Sequence, residues 1–74
     1  MPHVNIKHFP RDISEAQKAE LVEAVSLALK SALGCSDDAI SIALEPVAPE
    51  VWQEQVYGPE IEGRRELLVK TPNY

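Results

Sequence analysis

With 74 residues, the chain has room for one domain, residues 1–74, and a lone core of that size is usually marginal, so assembly with further copies is expected. Twelve acidic against seven basic side chains leave a net charge of −5. That is the wrong sign for holding a phosphate backbone, which argues against nucleic acid as a partner. No apolar run approaches the length that spans a bilayer, and the amino end lacks the basic-then-apolar layout of a signal peptide. No membrane partner and a cytoplasmic location are therefore expected. The single cysteine, Cys35, cannot form an internal disulfide, in keeping with a reducing compartment.

The first element reads as a strand. Pro2, Val4 and Ile6 alternate with His3, Asn5 and Lys7, the period of two that leaves one face buried, and Phe9-Pro10 ends it. Ser14 then stands three residues before Gln17, a capping-box spacing that starts a helix running from about Glu15 to Leu33. Leu21, Val22, Val25, Ala28, Leu29 and Ala32 recur at three and four and form its expected apolar stripe, and Gly34 ends it. After an Asp37-Asp38 turn, Ile40, Ile42 and Leu44 alternate with Ser41 and Ala43 as a second strand, stopped by Glu45-Pro46. A helical crossover makes the two strands parallel, and such crossovers are almost always right-handed. Two strands and one helix leave both sheet edges unpaired, so a second copy is expected to complete a four-stranded sheet. From Pro49 to Tyr57 the spacing of Trp52 and Val56 predicts a short helix, broken at Gly58-Pro59. Residues 64–70 fit either a last helical turn or an extended arm.

Chemistry concentrates at the amino end. Met1 is usually removed when a small residue follows, and Pro2 then becomes a secondary amine at the start of a strand. A free α-amino group has a pKa of about 7.7 to 8.0. An apolar pocket destabilises its charged form, and a depression of roughly one or two units leaves it neutral near pH 7 and able to act as a general base. Arg11, on the loop after the first strand, has the planar fork of donors that suits a carboxylate. Phe9 and Trp52 are candidates for an aromatic pocket wall. His3 and His8 differ by an odd number and point to opposite faces of a strand, so they do not chelate one metal together. Glu50 and Glu54 read as a solvated helix face. Cys35 has no partner that would activate a thiolate, and Ser41 lacks a Gly-rich elbow, so covalent catalysis by either is unsupported.

Four segments carry a resemblance. Met1-Pro2-His3-Val4-Asn5-Ile6-Lys7, the Phe9-Pro10-Arg11 turn, Ser41-Ile42-Ala43-Leu44-Glu45 and Pro49-Glu50-Val51-Trp52 resemble the 4-oxalocrotonate tautomerase family, and within it the small bacterial phenylpyruvate tautomerase-type members. The Lys70-Thr71-Pro72-Asn73-Tyr74 tail is similar to an ending common in that branch. The resemblance implies an α+β fold, a β-α-β tautomerase (MIF-like) subunit, that assembles into dimers or hexamers and needs no cofactor. It implies keto-enol tautomerisation of a small-molecule 2-oxo acid, with Pro2 as general base and Arg11 on the substrate carboxylate. Trp52 takes the place of the aromatic wall. Ser41 stands where muconate-processing members carry a second arginine, so an aryl or alkyl monocarboxylate such as phenylpyruvate suits the site better than a dicarboxylate. A homodimer is favoured over a hexamer, because the segment from Pro49 onward occludes the surface further subunits would use. Two other readings stay open: a non-catalytic β-α-β dimer that binds an apolar acid or a protein, and a hydrolytic relative, which needs a carboxylate near the proline.

Overall fold

The computed structural model describes residues 1–74. Strand β1 (His3–His8) leads through a loop to helix α1 (Glu15–Leu33), a single 3₁₀ turn at Asp37–Ala39 and strand β2 (Ser41–Pro46). The two strands are parallel neighbours in register from His3 opposite Ser41 to His8 opposite Pro46. The expected strand-helix-strand unit is therefore present. Both strands begin one residue later than the sequence pattern, with Pro2 and Ile40 just outside; β1 ends before Phe9 as expected, and β2 runs on through Glu45-Pro46, where the pattern placed its end.

Local chemistry accounts for the helix ends. The Ser14 hydroxyl accepts from the Gln17 backbone N–H at 3.1 Å while the Ser14 N–H donates to the Gln17 side-chain oxygen at 2.9 Å, a complete capping box. At the other end Gly34 adopts φ 66°, a left-handed conformation that a Cβ would strain, and its N–H donates to the Lys30 carbonyl at 3.0 Å. Replacing an N-cap serine by alanine costs about 1 kcal/mol, and by glycine only a few tenths. Ser14→Ala is therefore expected to lower the melting temperature by about 5 °C at fixed protein concentration. Ser14→Gly is expected to lower it by no more than about 2 °C, and a thermal melt followed by circular dichroism reads both.

The apolar stripe of α1 is narrower than its sequence suggests. Leu21, Val25 and Leu29 are half-buried and Ser26 is buried, whereas Val22, Ala28 and Ala32 are exposed. Two strands are too narrow to cover a wider stripe, so the flank carrying Val22 stays open. Leu27 and Leu33 are exposed as well.

Downstream, α2 (Pro49–Trp52) opens with proline in its first turn and continues without a gap as a π-helical segment, Gln53–Ile61, then as 3₁₀ turns at Glu62–Leu67. The break expected at Gly58-Pro59 does not occur. Pro59 lacks an N–H and its ring would collide with the carbonyl four residues back in an α-helix. The wider π winding spaces donors and acceptors five apart and makes room for it. Gly58 allows the same winding, since a Cβ there would lie 3.2 Å from the Gln53 carbonyl oxygen. For residues 64–70 both readings are partly met: helical turns end at Leu67 and the chain is non-helical beyond, with Leu68 in an extended conformation.

Only Val47, Val56 and Ser26 are buried, and no large side chain is fully enclosed. The accessible surface is 5794 Å² for a chain of 8.2 kDa, about 1,300 Å² above the roughly 4,500 Å² of a compact monomer of that mass. The radius of gyration, 13.9 Å, likewise exceeds the value of about 11 Å for a closed domain of this length. The chain is an open platform without a closed core.

Candidate active site

Pro2 is half-buried at the mouth of β1. Its carbonyl accepts the Ser41 backbone N–H at 3.2 Å, so the residue is fixed through its carbonyl and its nitrogen takes no part in the ladder. Met1, which precedes it, is fully exposed. Ser41 also bonds through its hydroxyl to His3 Nδ1 at 2.6 Å. This pair begins a polar face on the sheet, continued by Asn5 Nδ2 donating to Glu45 Oε1 at 2.9 Å and by the Lys7–Glu60 ion pair. The Glu60 hydrogen bond, with the charges of Glu60 and Glu45 in support, holds the Lys7 ammonium above the ordinary lysine pKa of 10.5 despite some desolvation. Glu60 lies in the π-helical segment, so this pair ties that segment to the sheet and explains why Lys7 is half-buried where strict alternation would leave it exposed.

Two concavities flank the other end of the sheet. One, of about 670 Å³, is lined by His8, Arg11 and Lys18 together with Asp12, Ile13 and Leu44 among others. Its three basic side chains sit at the end of β1, on the following loop and one turn into α1. The second, of about 540 Å³, is lined by Phe9, Trp52, Gln53 and Tyr74. Here the Phe9 and Trp52 rings meet edge to face with centroids 5.1 Å apart, the Trp52 indole N–H donates to the Tyr74 hydroxyl at 3.3 Å, and the Tyr57 and Tyr74 rings are 5.7 Å apart.

The residues singled out in the sequence thus fall into three groups. Phe9 and Trp52 share the aromatic cavity, Pro2 and Ser41 share a backbone bond, and Arg11 lines the basic cleft. Six strand residues at about 3.3 Å each separate Pro2 from the Phe9–Arg11 loop by roughly 20 Å within one subunit. Lys18 was not singled out, and the sequence leaves open whether Tyr57 or Tyr74 reaches the site. His8 was weighed only as a metal ligand, and nothing local to the tail marks Tyr74 as a neighbour of Trp52. His3 and His8 do lie on opposite faces, one against Ser41 and the other in the basic cleft with Leu44.

A family model described as "Tautomerase enzyme" matches residues 2–60. The chain belongs to the tautomerase family, the 4-oxalocrotonate tautomerase family of the sequence resemblance. It is 40% identical over 74 residues to Tautomerase PptA of Pectobacterium carotovorum subsp. carotovorum (strain PC1), covering all of this chain and 97% of that one. Tautomerase PptA of Shigella sonnei (strain Ss046) is 43% identical over the same coverage. Among solved structures, DmpI from Helicobacter pylori superposes with a TM-score of 0.56 at 28% identity, over 64% of this chain and 73% of that one. The tautomerase is accordingly an isomerase with the β-α-β fold of its family. No helix in it is long and apolar enough to cross a membrane.

Proposed function

We propose that this tautomerase interconverts the enol and keto forms of an aryl 2-oxo acid such as phenylpyruvate, with Pro2, freed by removal of Met1, as general base and no cofactor. The observation that carries this reading is the way Pro2 is held. The bond from Ser41 fixes its carbonyl and leaves the nitrogen unengaged next to a fully exposed Met1. The nitrogen takes the enolic proton as the O–H pair becomes the carbonyl π bond, and the C=C pair takes a proton from the resulting ammonium, directly or through a water molecule that the ammonium then reprotonates. Pro2 ends neutral, and no electrons are gained or lost.

The site is complete only in a pair of subunits. Ser41 and Val47 both donate to β1, at Pro2 and His8, so odd positions of β2 face inward and Pro46 faces the outer edge, where its missing N–H interrupts further pairing. By the same alternation the N–H and C=O groups of His3, Asn5 and Lys7 face the open edge of β1. That edge suits antiparallel pairing with β1 of a second copy, giving the four-stranded sheet. The pairing sets one copy's Pro2 beside the other's Phe9–Arg11 loop and removes the 20 Å gap of the single subunit. The surplus surface of about 1,300 Å² exceeds the roughly 800 Å² that each partner buries in an ordinary stable interface. With the Pro49–Leu67 segment tied over the polar face through Lys7 and Glu60, a dimer fits better than a hexamer. In this arrangement Arg11 holds the carboxylate by charge-assisted hydrogen bonds, and Phe9 and Trp52 take up the aryl group.

The test follows loss of the enol absorbance of phenylenolpyruvate over a pH series, on protein whose intact mass reports whether Met1 is gone. Ketonisation is expected to rise through a single ionisation below the usual α-amino range of about 7.7 to 8.0. A processed protein no faster than buffer would refute the reading.

A further inference from the structure

We infer that Tyr74 is a specificity-determining residue of this tautomerase, a side-chain wall that limits the size of the aryl group the site accepts. The inference rests on the aryl-binding role proposed for Phe9 and Trp52. The cavity beside those two rings has only four lining residues, and Tyr74 is one of them. Without Tyr74, Trp52 and Phe9 form a corner with one side open.

The path of the tail explains how the wall is set. Val69, Lys70 and Thr71 are exposed, Val69 fully so. The chain regains cover only at half-buried Pro72 and places the Tyr74 ring against Trp52 and Tyr57. Two contacts define that placement: the hydroxyl accepts the indole N–H of Trp52 at 3.3 Å, and Tyr57 backs the ring at 5.7 Å. Tyr57 itself does not line the cavity. One neutral hydrogen bond and one tilted ring contact make a weak hold. The position of this one ring nonetheless sets the size of the cavity, since Tyr74 is one of only four residues that line it. Tyr74 remains 68% exposed, and that open surface is available to stack on an aryl substrate between it and Trp52. The cavity, about 540 Å³, lies within the usual range for small-molecule sites.

The experiment uses the full chain with Met1 removed. Binding of 3-phenylpropionate, an unreactive aryl acid, is followed through the fluorescence of Trp52, the only tryptophan. Turnover is measured as kcat/KM for phenyl, 2-naphthyl and methyl enol substrates. Tyr74→Ala is expected to weaken 3-phenylpropionate roughly three- to tenfold, the worth of one aromatic contact, and to lower the phenyl-to-methyl ratio by a similar factor. The naphthyl-to-phenyl ratio should rise, because the space vacated admits the second ring. Tyr74→Phe keeps the ring and should hold all three values within about threefold of the wild type. Unchanged affinity and unchanged ratios in Tyr74→Ala would overturn the assignment. Trp52→Ala separates the two levels of the argument. If it lowers the phenyl-to-methyl ratio while Tyr74→Ala does not, only the role of Tyr74 fails. If neither does, the aryl group binds elsewhere and the reading of the aromatic cavity fails with it.

Discussion

Placing one extra residue before Pro2, in a form that cellular aminopeptidases do not remove, is expected to abolish ketonisation of phenylenolpyruvate, and Pro2→Ala to lower it about a hundredfold. The two variants fail for different reasons. An extension locks the Pro2 nitrogen in an amide whose lone pair is delocalised, leaving no base at all. Alanine still permits removal of Met1 but supplies a primary amine that rotates about its Cα bond, so the lone pair is no longer fixed by a ring. Positioned proton transfer contributes on the order of a hundred- to ten-thousand-fold, and Pro2→Ala forfeits the positioning while keeping an amine. Neither change should unfold the protein. The strand's bond at this residue runs through the Pro2 carbonyl to the Ser41 N–H, and both variants retain that carbonyl. Far-ultraviolet circular dichroism matching the wild type, with activity lost, is the expected pair of results. Full activity in the extended protein would show that the amine is not the base.

The order of elements was legible from residue pattern because each signal is local. The alternation of Pro2, Val4 and Ile6 needs only a strand with one covered face, and the Ser14–Gln17 capping box and Gly34 act within one turn of helix. The misreadings occur where the outcome depends on contacts distant in sequence or on an uncommon helix type. Gly58-Pro59 is a reliable break in an α-helix, and π winding alters the spacing that makes it so. The stripe of α1 was read too wide because periodicity reports which residues are apolar and not how much sheet is available to cover them; Val22, Ala28 and Ala32 remain exposed on a two-stranded platform. In the candidate site, Pro2 and the Phe9-Pro10-Arg11 turn stand out in the sequence, but their separation by the length of β1 does not, since a linear pattern gives no distance between the ends of an element. Tyr74 was illegible for a related reason: its partners, Trp52 and Tyr57, lie more than a dozen residues away, and only the return of the tail brings them together.

That separation leads to the second large effect. When Pro2→Ala and Arg11→Ala subunits, each nearly inactive at substrate concentrations well below the raised KM of Arg11→Ala, are mixed and allowed to exchange, activity at such a concentration is expected to return to about a quarter of the wild-type level. Within one subunit the length of β1 holds Pro2 roughly 20 Å from the Arg11 loop, so the proposed site draws Pro2 from one copy and Arg11 from the other. In a two-fold pair the same contact occurs twice. A mixed dimer then contains one site with both residues intact and one with neither. Random exchange makes half of all dimers mixed, and half the sites in those are whole, which gives the quarter. Arg11→Ala alone should act mainly on KM, because a carboxylate clamp grips substrate and transition state alike, and the restored sites should therefore show the wild-type KM and not an intermediate one. If Arg11 served its own subunit's Pro2, every site in every dimer would lack one of the two residues, and mixing would restore nothing. The measurement is the initial rate and KM of the mixture after exchange, with a mass-tagged copy to report the fraction of mixed dimers. Full exchange without recovery would place Arg11 and Pro2 in the same subunit's site or remove Arg11 from the mechanism, and the edge pairing argued from Pro46 and β1 would have to be abandoned with it.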